Sequence, residues 1–210
     1  MAESTKSVAL IDYGAGNIRN VEKAFEAVGV ATSRTSDPAR VAAADVIVMP
    51  GVGAFGEMMG ALRERGLVEP LREAARAGKP LLGICVGLQV LFEVGEEMGE
   101  HEGLGLFPGR VRRFQVEPLK VPHVGWNQIY PTTDHALFDG ISSGDYVYFV
   151  HSYHVAPTDP SLVLATTEYG IDFPAICGCE NILGIQFHPE KSQQSGLRML
   201  ANFARWAGVV

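Results

Sequence analysis

Short apolar segments alternate with amphipathic ones along the first half of the sequence. Apolar runs that are typical of strands buried on both faces occupy residues 7–14, 45–51 and 79–84. Between them, apolar residues recur at helical spacing, which predicts helices over residues 17–29, 54–66, 68–78 and 86–95. Because strands and helices that alternate in this way build parallel sheets, we predict a parallel sheet with helices on both faces.

The second half of the sequence is richer in β-forming residues. Between about Gly103 and Phe187, short runs of these residues are separated by Gly, Pro and Asp, which is typical of antiparallel strands and turns. Helical spacing returns only in the tail, over residues 195–210. We find no linker, repeat or low-complexity tract. The sequence therefore predicts a single α/β domain over residues 1–210, with a mostly parallel central sheet, flanking helices and an antiparallel β extension.

Charge and composition argue against several kinds of partner. The chain has 210 residues and a net charge of -7, and it contains no run of Lys and Arg. We expect no nucleic-acid partner, because phosphate binding requires a basic surface. Nothing near the start resembles a signal peptide, and no apolar segment reaches the roughly 18 residues that span a membrane. Three cysteines without a secretion signal indicate reduced thiols, so we expect a cytoplasmic protein.

A cysteine lies between two glycines where the third predicted strand meets the next helix, in the sequence Gly83-Ile84-Cys85-Val86-Gly87. This is the G-x-nucleophile-x-G pattern of a sharp strand-to-helix turn. Such a turn strains the backbone of the central residue and exposes its side chain at the carboxyl edge of the sheet. The N-terminus of a helix also favours an ionised sulfur. Cys85 is therefore the candidate nucleophile, and the alternative is a buried, unreactive thiol.

A candidate base and a candidate acid occur together near the end of the sequence, in QFHPEKS (186–192). His188 follows an apolar strand and Glu190 is two residues further on, so an extended backbone would place both side chains on one face. His188 would accept the proton of Cys85, and Glu190 would orient the ring and stabilise its cation. Taken alone, His188 would more simply be a surface residue at a strand end. Its pairing with Cys85 makes it the candidate base.

Acyl-transfer chemistry also requires hydrogen-bond donors for the oxyanion. The glycine-rich segment MPGVGAFG (49–56) follows a predicted strand, and its backbone N–H groups near Gly51 and Val52 are candidate donors. The N–H of Val86, directly after the nucleophile, would be the second donor. The alternative for this segment is an ordinary glycine-rich turn.

Other patterns do not lead to a metal ion or a cofactor. Cys177 and Cys179 form one C-x-C pair with no second pair to complete a four-ligand site, so we expect packed thiols. The segment DYGAGN (12–17) lacks the pattern of a phosphate-binding loop and is expected to be a strand-to-helix turn. We therefore expect neither a metal nor a cofactor.

The three motifs in this order resemble the class I glutamine amidotransferases. GICVGLQ (83–89) resembles the nucleophile motif of that family, and QFHPEKS resembles its base and acid motif. Members that work with a separate cyclase in histidine biosynthesis share four further stretches of this sequence, at residues 11–21, 50–57, 120–129 and 148–155. The resemblance implies that the chain hydrolyses L-glutamine to glutamate and ammonia through a thioester on Cys85.

The resemblance also implies which residues contact the bound glutamine. These are Gln89, Glu97, His151, Ser152 and Tyr153. From the sequence alone, Gln89 is equally a solvated position one turn past the cysteine. Glu97 is in the same way an exposed glutamate near a helix end.

Ammonia would be lost to water or protonated unless it is transferred directly. The resemblance implies a (β/α)8-barrel cyclase subunit that docks over the glutaminase site and forms a heterodimer with it. The implied interface residues are Pro122, His123, Gly125, Trp126, Asn127, Tyr148 and Lys191. Trp126 is a candidate anchor, because exposed Trp often concentrates binding energy, and an ordinary core position is its alternative. Members of this kind are nearly idle alone. As a hypothesis for that property, glycines 51 and 53 would let a peptide group rotate at little cost.

Rival functions stay open on the sequence. One is a cysteine hydrolase of the same fold, such as a γ-glutamyl peptidase, which would be active alone. Another is a binding subunit that keeps the scaffold without turnover, which the complete set of Cys85, His188 and Glu190 disfavours. The third is an amidotransferase that serves a different synthase, and the stretch PHVGWN (122–127) distinguishes that case.

Overall fold

The computed structural model describes residues 6–15 and 17–210. Residues 1–5 and Gly16, which belong to the predicted domain and to the DYGAGN segment, lie outside the described part. Its strands are β1 (Val8–Ile11), β2 (Ser33–Thr35), β3 (Val46–Gly51), β4 (Leu81–Cys85), β5 (Phe92–Gly95), β6 (His101–Glu102), β7 (Phe107–Arg113), β8 (His123–Gln128), β9 (Tyr130–Pro131), β10 (Tyr146–His151), β11 (Tyr153–Pro157), β12 (Val163–Glu168), β13 (Asp172–Cys179) and β14 (Ile182–Ile185). Its helices are α1 (Ile18–Ala27), α2 (Pro38–Ala43), α3 (Phe55–Glu64), α4 (Val68–Arg76), α5 (Val86–Gln89) and α6 (Gln193–Trp206). Short 3₁₀ turns cover Ala136–Phe138, Pro160–Leu162 and Pro189–Lys191.

A central sheet contains eight of the described strands, in the order β2-β1-β3-β4-β14-β13-β12-β9. The strands from β2 to β14 are parallel, and β13, β12 and β9 continue the sheet with antiparallel pairing. Strands β1, β3, β4 and β14 are buried along their whole length, as their continuous apolar runs predict. The predicted fold class is confirmed.

Two smaller sheets complete the β extension. β8 pairs with β10, while β11, β7, β5 and β6 form a four-stranded sheet in which β5 and β7 are parallel. Ser152 alone separates β10 from β11, so the chain passes from one small sheet to the other at this residue. In the described part of the chain, no helix is long and apolar enough to cross a membrane.

The pairing of β4 with β14 brings the two halves of the sequence together. Leu82 of β4 lies opposite Leu183 of β14, and the two strands run in the same direction. Their carboxyl ends therefore meet at one edge of the sheet, where α/β proteins place their sites. Cys85 ends β4 at that edge, and His188 follows the last residue of β14 by only a short segment.

The helix predicted over residues 86–95 is wrong. α5 ends at Gln89, and Phe92–Gly95 form the strand β5. A longer helix would use the carbonyl group of Val90 for its own hydrogen bonding, but that carbonyl accepts from the N–H of Leu104 at 2.7 Å. Pairing with the following segment thus overrides the local apolar pattern. The other predicted helices are confirmed as α1, α3, α4 and α6, each overlapping its predicted range.

Candidate active site

Cys85 is held in a strained turn between β4 and α5. Its backbone angles are φ 57° and ψ -113°, in the left-handed half of the map that side chains disfavour. Close backbone contacts require the two flanking glycines. A Cβ on Gly87 would lie 1.9 Å from the carbonyl oxygen of Met49, and a Cβ on Gly83 would lie 2.5 Å from that of Gly87. The predicted strained turn is confirmed, and Cys85 lines a cavity at the edge of the sheet.

His188 and Glu190 form a buried hydrogen-bonded pair. His188 Nδ1 lies 2.9 Å from Glu190 Oε1, and the two side chains are 5% and 1% exposed. The expectation that an extended backbone joins them is wrong, because Pro189–Lys191 form a 3₁₀ turn. The turn still brings the carboxylate to the ring. The hydroxyl of Ser192 donates to the carbonyl oxygen of His188 at 2.7 Å and fixes the backbone of the base.

The protonation of His188 is set by burial and by two partners. Burial lowers the pKa of an imidazole, but hydrogen bonds with Cys85 and with Glu190 raise the pKa of His188 to about 10. The negative charges of the thiolate and the carboxylate act in the same direction. At neutral pH, His188 therefore holds a proton, and this proton is available for a leaving group.

These groups open into a cavity of about 320 Å³. Such a volume suits a small-molecule substrate. Every residue that the resemblance implies as a glutamine contact lines this cavity: Gln89, Glu97, His151, Ser152 and Tyr153. Cys85 and His188 line the same space, and so do Val52 and Val86 of the predicted oxyanion segments.

Two buried amide side chains connect the cysteine to the opposite wall of the cavity. Gln89 Nε2 donates to the carbonyl oxygen of Tyr153 and to Gln186 Oε1, each at 3.1 Å. Gln186 Nε2 in turn donates to Cys85 Sγ at 3.9 Å. Gln89 is therefore a buried residue rather than a solvated one. Gln186 was not predicted as a site residue, although its position two residues before His188 on a strand-like segment was the available signal.

Glu97 lies against the first turn of α3 and not at the end of a helix of its own. Its Oε2 accepts from the N–H of Phe55 at 2.9 Å. The N-terminus of a helix stabilises a carboxylate, so this contact holds the side chain at one wall of the cavity. The alternative of an unattached surface glutamate is wrong.

The predicted oxyanion donors differ in whether another group already accepts their hydrogen bond. The N–H of Val86 is at the first position of α5, where helix geometry provides no intrahelical partner. Gly51 ends β3 directly opposite Cys85, so the next peptide group is close to the nucleophile. The N–H of Val52, however, donates to the hydroxyl of Tyr13 at 2.9 Å. This donor is engaged by a side chain instead of being directed at an oxyanion.

Trp126, Tyr148 and Lys191 form a cluster beside the cavity, which we call the exposed cluster because Trp126 and Lys191 are exposed while Tyr148 is half-buried. Trp126 of β8 and Tyr148 of β10 are register partners, with ring centroids 5.9 Å apart and edge-to-face packing. Lys191 Nζ lies 5.8 Å from the centroid of the Tyr148 ring, and Pro122 and Lys191 also line the cavity. Trp126 is 45% exposed, so the alternative of a core tryptophan is wrong. Gly125 directly precedes it on β8.

His123 lies beneath this cluster and not on its surface. Its ring is buried and stacks on Tyr169 at a centroid distance of 4.1 Å. Asn127 Nδ2 lies 3.3 Å from His123 Nε2, and His123 Nδ1 lies 3.1 Å from His151 Nε2. His151 Nδ1 lies 2.8 Å from the carbonyl oxygen of Tyr153. A buried chain of hydrogen bonds therefore runs from Asn127 to the cavity.

The two ends of this histidine chain determine its protonation. The amide nitrogen of Asn127 only donates and the carbonyl of Tyr153 only accepts, so both histidines are neutral and donate from Nδ1. Burial lowers the pKa of His123 to about 4. Burial also lowers the pKa of His151 to about 3, although its hydrogen bond to Tyr153 opposes this effect.

The remaining cysteines differ in burial. Burial of Cys177 within β13 raises the pKa of this thiol to about 12, so it is an inert core residue. Cys179 is exposed because β13 ends there, and the expectation of two packed thiols is wrong for it. Among the described residues, no group of three His, Cys, Asp or Glu side chains has the arrangement of a metal site.

Comparison with known proteins assigns the chain to a class. The family described as glutamine amidotransferase class-I matches residues 9–206. The chain belongs to this family, and it is accordingly a glutamine-hydrolysing enzyme. Within this family, the chain is similar to two curated relatives that are both named imidazole glycerol phosphate synthase subunit HisH. The protein of Salinibacter ruber is 52% identical over 201 residues, covering 93% of this chain and 92% of that protein. The protein of Syntrophotalea carbinolica is 53% identical over 202 residues, covering 93% of this chain and 98% of that protein.

Solved structures share the fold at low sequence identity. A crystal structure described as glutamine amidotransferase superposes with a TM-score of 0.76 at 19% identity, covering 96% of this chain and 100% of that one. The structure of PurLQS from Thermotoga maritima superposes with a TM-score of 0.75 at 18% identity, covering 96% of this chain and 99% of that one. At this level of identity, the likeness concerns the fold alone.

Proposed function

We propose that this chain is the glutaminase subunit of imidazole glycerol phosphate synthase, an enzyme of histidine biosynthesis. The observation that carries the proposal is the strained Cys85 beside the His188–Glu190 pair, at a cavity of substrate size. The HisH relatives, about half identical along nearly the whole chain, support the choice of this synthase among the amidotransferases. The substrate is L-glutamine, and the reaction requires no cofactor.

The first half-reaction forms a thioester. The Cys85 thiolate attacks the side-chain amide carbon of glutamine, so that a carbon–sulfur bond forms and the carbonyl electron pair moves onto oxygen. His188 gives its proton to the amide nitrogen, the carbon–nitrogen bond breaks, and ammonia leaves. Glu190 keeps the imidazole ring oriented and stabilises its cation until the proton is transferred.

The second half-reaction releases glutamate. His188, now neutral, takes a proton from a water molecule as the water oxygen attacks the thioester carbon. The carbon–sulfur bond then breaks, which regenerates the thiolate beside the imidazolium and frees the carboxylic acid of the product, which loses its proton to water. Each half-reaction passes through a tetrahedral oxyanion. We assign its stabilisation to the N–H of Val86 and to the segment of Gly51 and Val52, since one such donor contributes roughly 10²–10³-fold to kcat.

The walls of the cavity bind the substrate. Gln89 and Glu97 are held by hydrogen bonds to Tyr153 and Phe55, so their remaining polar atoms are oriented before glutamine arrives. Residues 151–153 cross between the two small sheets and line the opposite side. The fixed positions of Gln89, Glu97 and residues 151–153 support their proposed role in positioning the substrate amide beside Cys85.

The ammonia acceptor is a (β/α)8-barrel cyclase subunit that forms a heterodimer with this chain. The exposed cluster of Trp126, Tyr148 and Lys191 adjoins the cavity, so a partner docked there would exclude water from the path of ammonia. The cyclase combines ammonia with the phosphoribulosyl formimino carboxamide nucleotide, PRFAR. The products are imidazole glycerol phosphate and the aminoimidazole carboxamide nucleotide, AICAR.

Residues 1–210 act in this proposal as one domain of a cytoplasmic enzyme. Support for one domain comes from the central sheet, in which the pairing of β4 with β14 joins the strands of the first half to those of the second half. The catalytic residues are contributed by both halves as well.

The experiment combines the chain with a candidate cyclase subunit and PRFAR and measures glutamate release with each component omitted in turn. We expect release to depend on partner and PRFAR, whereas turnover that ignores both would favour a stand-alone cysteine hydrolase. Cys85→Ala should abolish synthesis from glutamine and preserve synthesis from ammonium salts. The matched control Cys179→Ala removes an exposed thiol and should preserve both activities. Loss of both activities in Cys85→Ala would instead indicate a structural cysteine.

A further inference from the structure

The side chain of Tyr13 holds the peptide groups on both sides of Val52. Its hydroxyl accepts from the N–H of Val52 at 2.9 Å and donates to the carbonyl oxygen of Val52 at 3.1 Å. Tyr13 is buried, and burial raises its pKa, so the hydroxyl keeps the proton that it donates. One side chain thereby fixes two consecutive peptide groups that are 39 residues away in sequence.

These peptide groups are part of the cavity that contains the nucleophile. Val52 and Gly53 line it together with Cys85. The preceding residue, Gly51, is the register partner of Cys85. Gly53 has a φ of 89°, a conformation that only glycine adopts without strain, so the segment after Val52 is held in a special turn. A rotation of the Gly51–Val52 peptide, which adjoins the register partner of Cys85, would release its N–H from Tyr13.

We propose that Tyr13 is a positioning residue whose hydroxyl keeps the Val52 N–H out of the oxyanion site and so limits glutaminase activity in the free chain. This rests on the proposed function of the Cys85 site. The hydroxyl competes directly with the oxyanion for a single donor. Removing the hydroxyl therefore shifts the peptide toward the catalytic orientation, and a partner that activates the enzyme must break the same two hydrogen bonds.

The test compares Tyr13→Phe with the unaltered chain in glutamate release, first alone and then with the cyclase subunit and PRFAR. Each of the two hydrogen bonds contributes about 0.5–1 kcal/mol net, so losing both should raise kcat of the free chain by about 5- to 30-fold. KM should change less than twofold, and the fully stimulated kcat should be unchanged. The stimulation ratio therefore falls by the same factor. The matched control is Tyr130→Phe, which removes an exposed hydroxyl bonded to Gln128 and should change none of these values.

A second measurement needs no partner. The γ-aldehyde analogue of glutamine adds to the Cys85 thiolate, forming a carbon–sulfur bond and placing the carbonyl electron pair on an oxygen in the oxyanion position. Tyr13→Phe should bind this analogue about 5- to 30-fold more tightly. If the partner fails to stimulate the unaltered chain but the aldehyde result holds, the proposed function fails and the role of Tyr13 stands.

Two results would overturn the role of Tyr13. One is a folded Tyr13→Phe protein whose kcat and aldehyde affinity are unchanged or lower. If this variant does not fold, amide hydrogen exchange in the unaltered chain decides instead. A Val52 N–H that is hydrogen-bonded to Tyr13 must be protected from exchange in the free chain, and its protection must change when partner and PRFAR bind. Rapid exchange of that amide in the free chain would be the second such result.

Discussion

Acidification is expected to destabilise the protein through His123 and His151. Both have an ordinary pKa of 6.5 when solvated, whereas burial lowers the pKa of His123 to about 4 and that of His151 to about 3. The unfolded chain therefore takes up protons as the pH falls through about 6.5, while the folded chain keeps both rings neutral. Stability that is complete above this pH is lost progressively below it.

The expected loss follows from the width of this pH window. Between about pH 8 and about pH 5, each unfolded histidine gains about 2 kcal/mol of protonation free energy, at about 1.36 kcal/mol per pH unit below 6.5. The pair should lower the free energy of unfolding by about 4 kcal/mol. His188 acts in the opposite direction, because its pKa is raised to about 10 and its contribution is lost only as the pH rises. A variant is therefore needed to separate the histidine chain from the total.

The variant His123→Asn removes one titrating ring and keeps an amide donor for His151. Urea denaturation at the two pH values should show that the unaltered protein loses about 2 kcal/mol more stability than this variant. Phe173→Leu is the control, since it loosens the packing around the same rings without removing a titrating group. Equal losses in the unaltered protein and His123→Asn would refute the argument, because they would mean that His123 is not held neutral by burial.

Three further predictions concern the base, the cysteine turn and the exposed cluster. Glu190→Gln removes the carboxylate that raises the pKa of His188, so kcat with glutamine should fall by roughly 10²-fold or more. Synthesis from ammonium salts should persist. An unchanged kcat would contradict the triad. Gly87→Ala should lower the free energy of unfolding by more than about 1 kcal/mol, because its Cβ collides with Met49. The control Gly60→Ala has open space on α3 and should raise that free energy by roughly 0.5 kcal/mol. Equal shifts in thermal unfolding of the two variants would count against the close contact. Trp126→Ala should weaken the binding free energy of the cyclase subunit, measured by calorimetry, by about 2 kcal/mol. The control Val210→Ala changes another exposed residue and should leave the affinity unchanged. Equal affinities of the two variants would exclude Trp126 as the anchor.

The parallel core and the cysteine turn were predictable because local patterns determine both. A strand buried on two faces must be apolar throughout, and β3 and β4 carry that pattern in the sequence itself. The strained angles of Cys85 follow from the glycines around it, since no other residue permits the approach of Met49 and Gly87. Both inferences needed only a few neighbouring residues.

Features that depend on distant contacts were not predictable. The segment of residues 86–95 has the apolar content of a helix, and only its pairing with the chain near Leu104 converts the second half into β5. The hydroxyl of Tyr13 reaches Val52 across 39 residues, and no local pattern indicates that bond. The family resemblance implies His123 as an interface residue, but strand alternation on β8 turns its ring inward.

The backbone of His188 is hydrogen-bonded to β10, the strand that carries Tyr148 of the exposed cluster. Its N–H donates to the carbonyl oxygen of Tyr148 at 2.9 Å, and the hydroxyl of Ser192 joins the Tyr148 N–H to the His188 carbonyl. A compound wedged between the rings of Trp126 and Tyr148 would displace this strand and the imidazole with it. Trp126 and Tyr148 do not line the cavity that contains Cys85, so we expect such a compound to lower kcat without competing with glutamine.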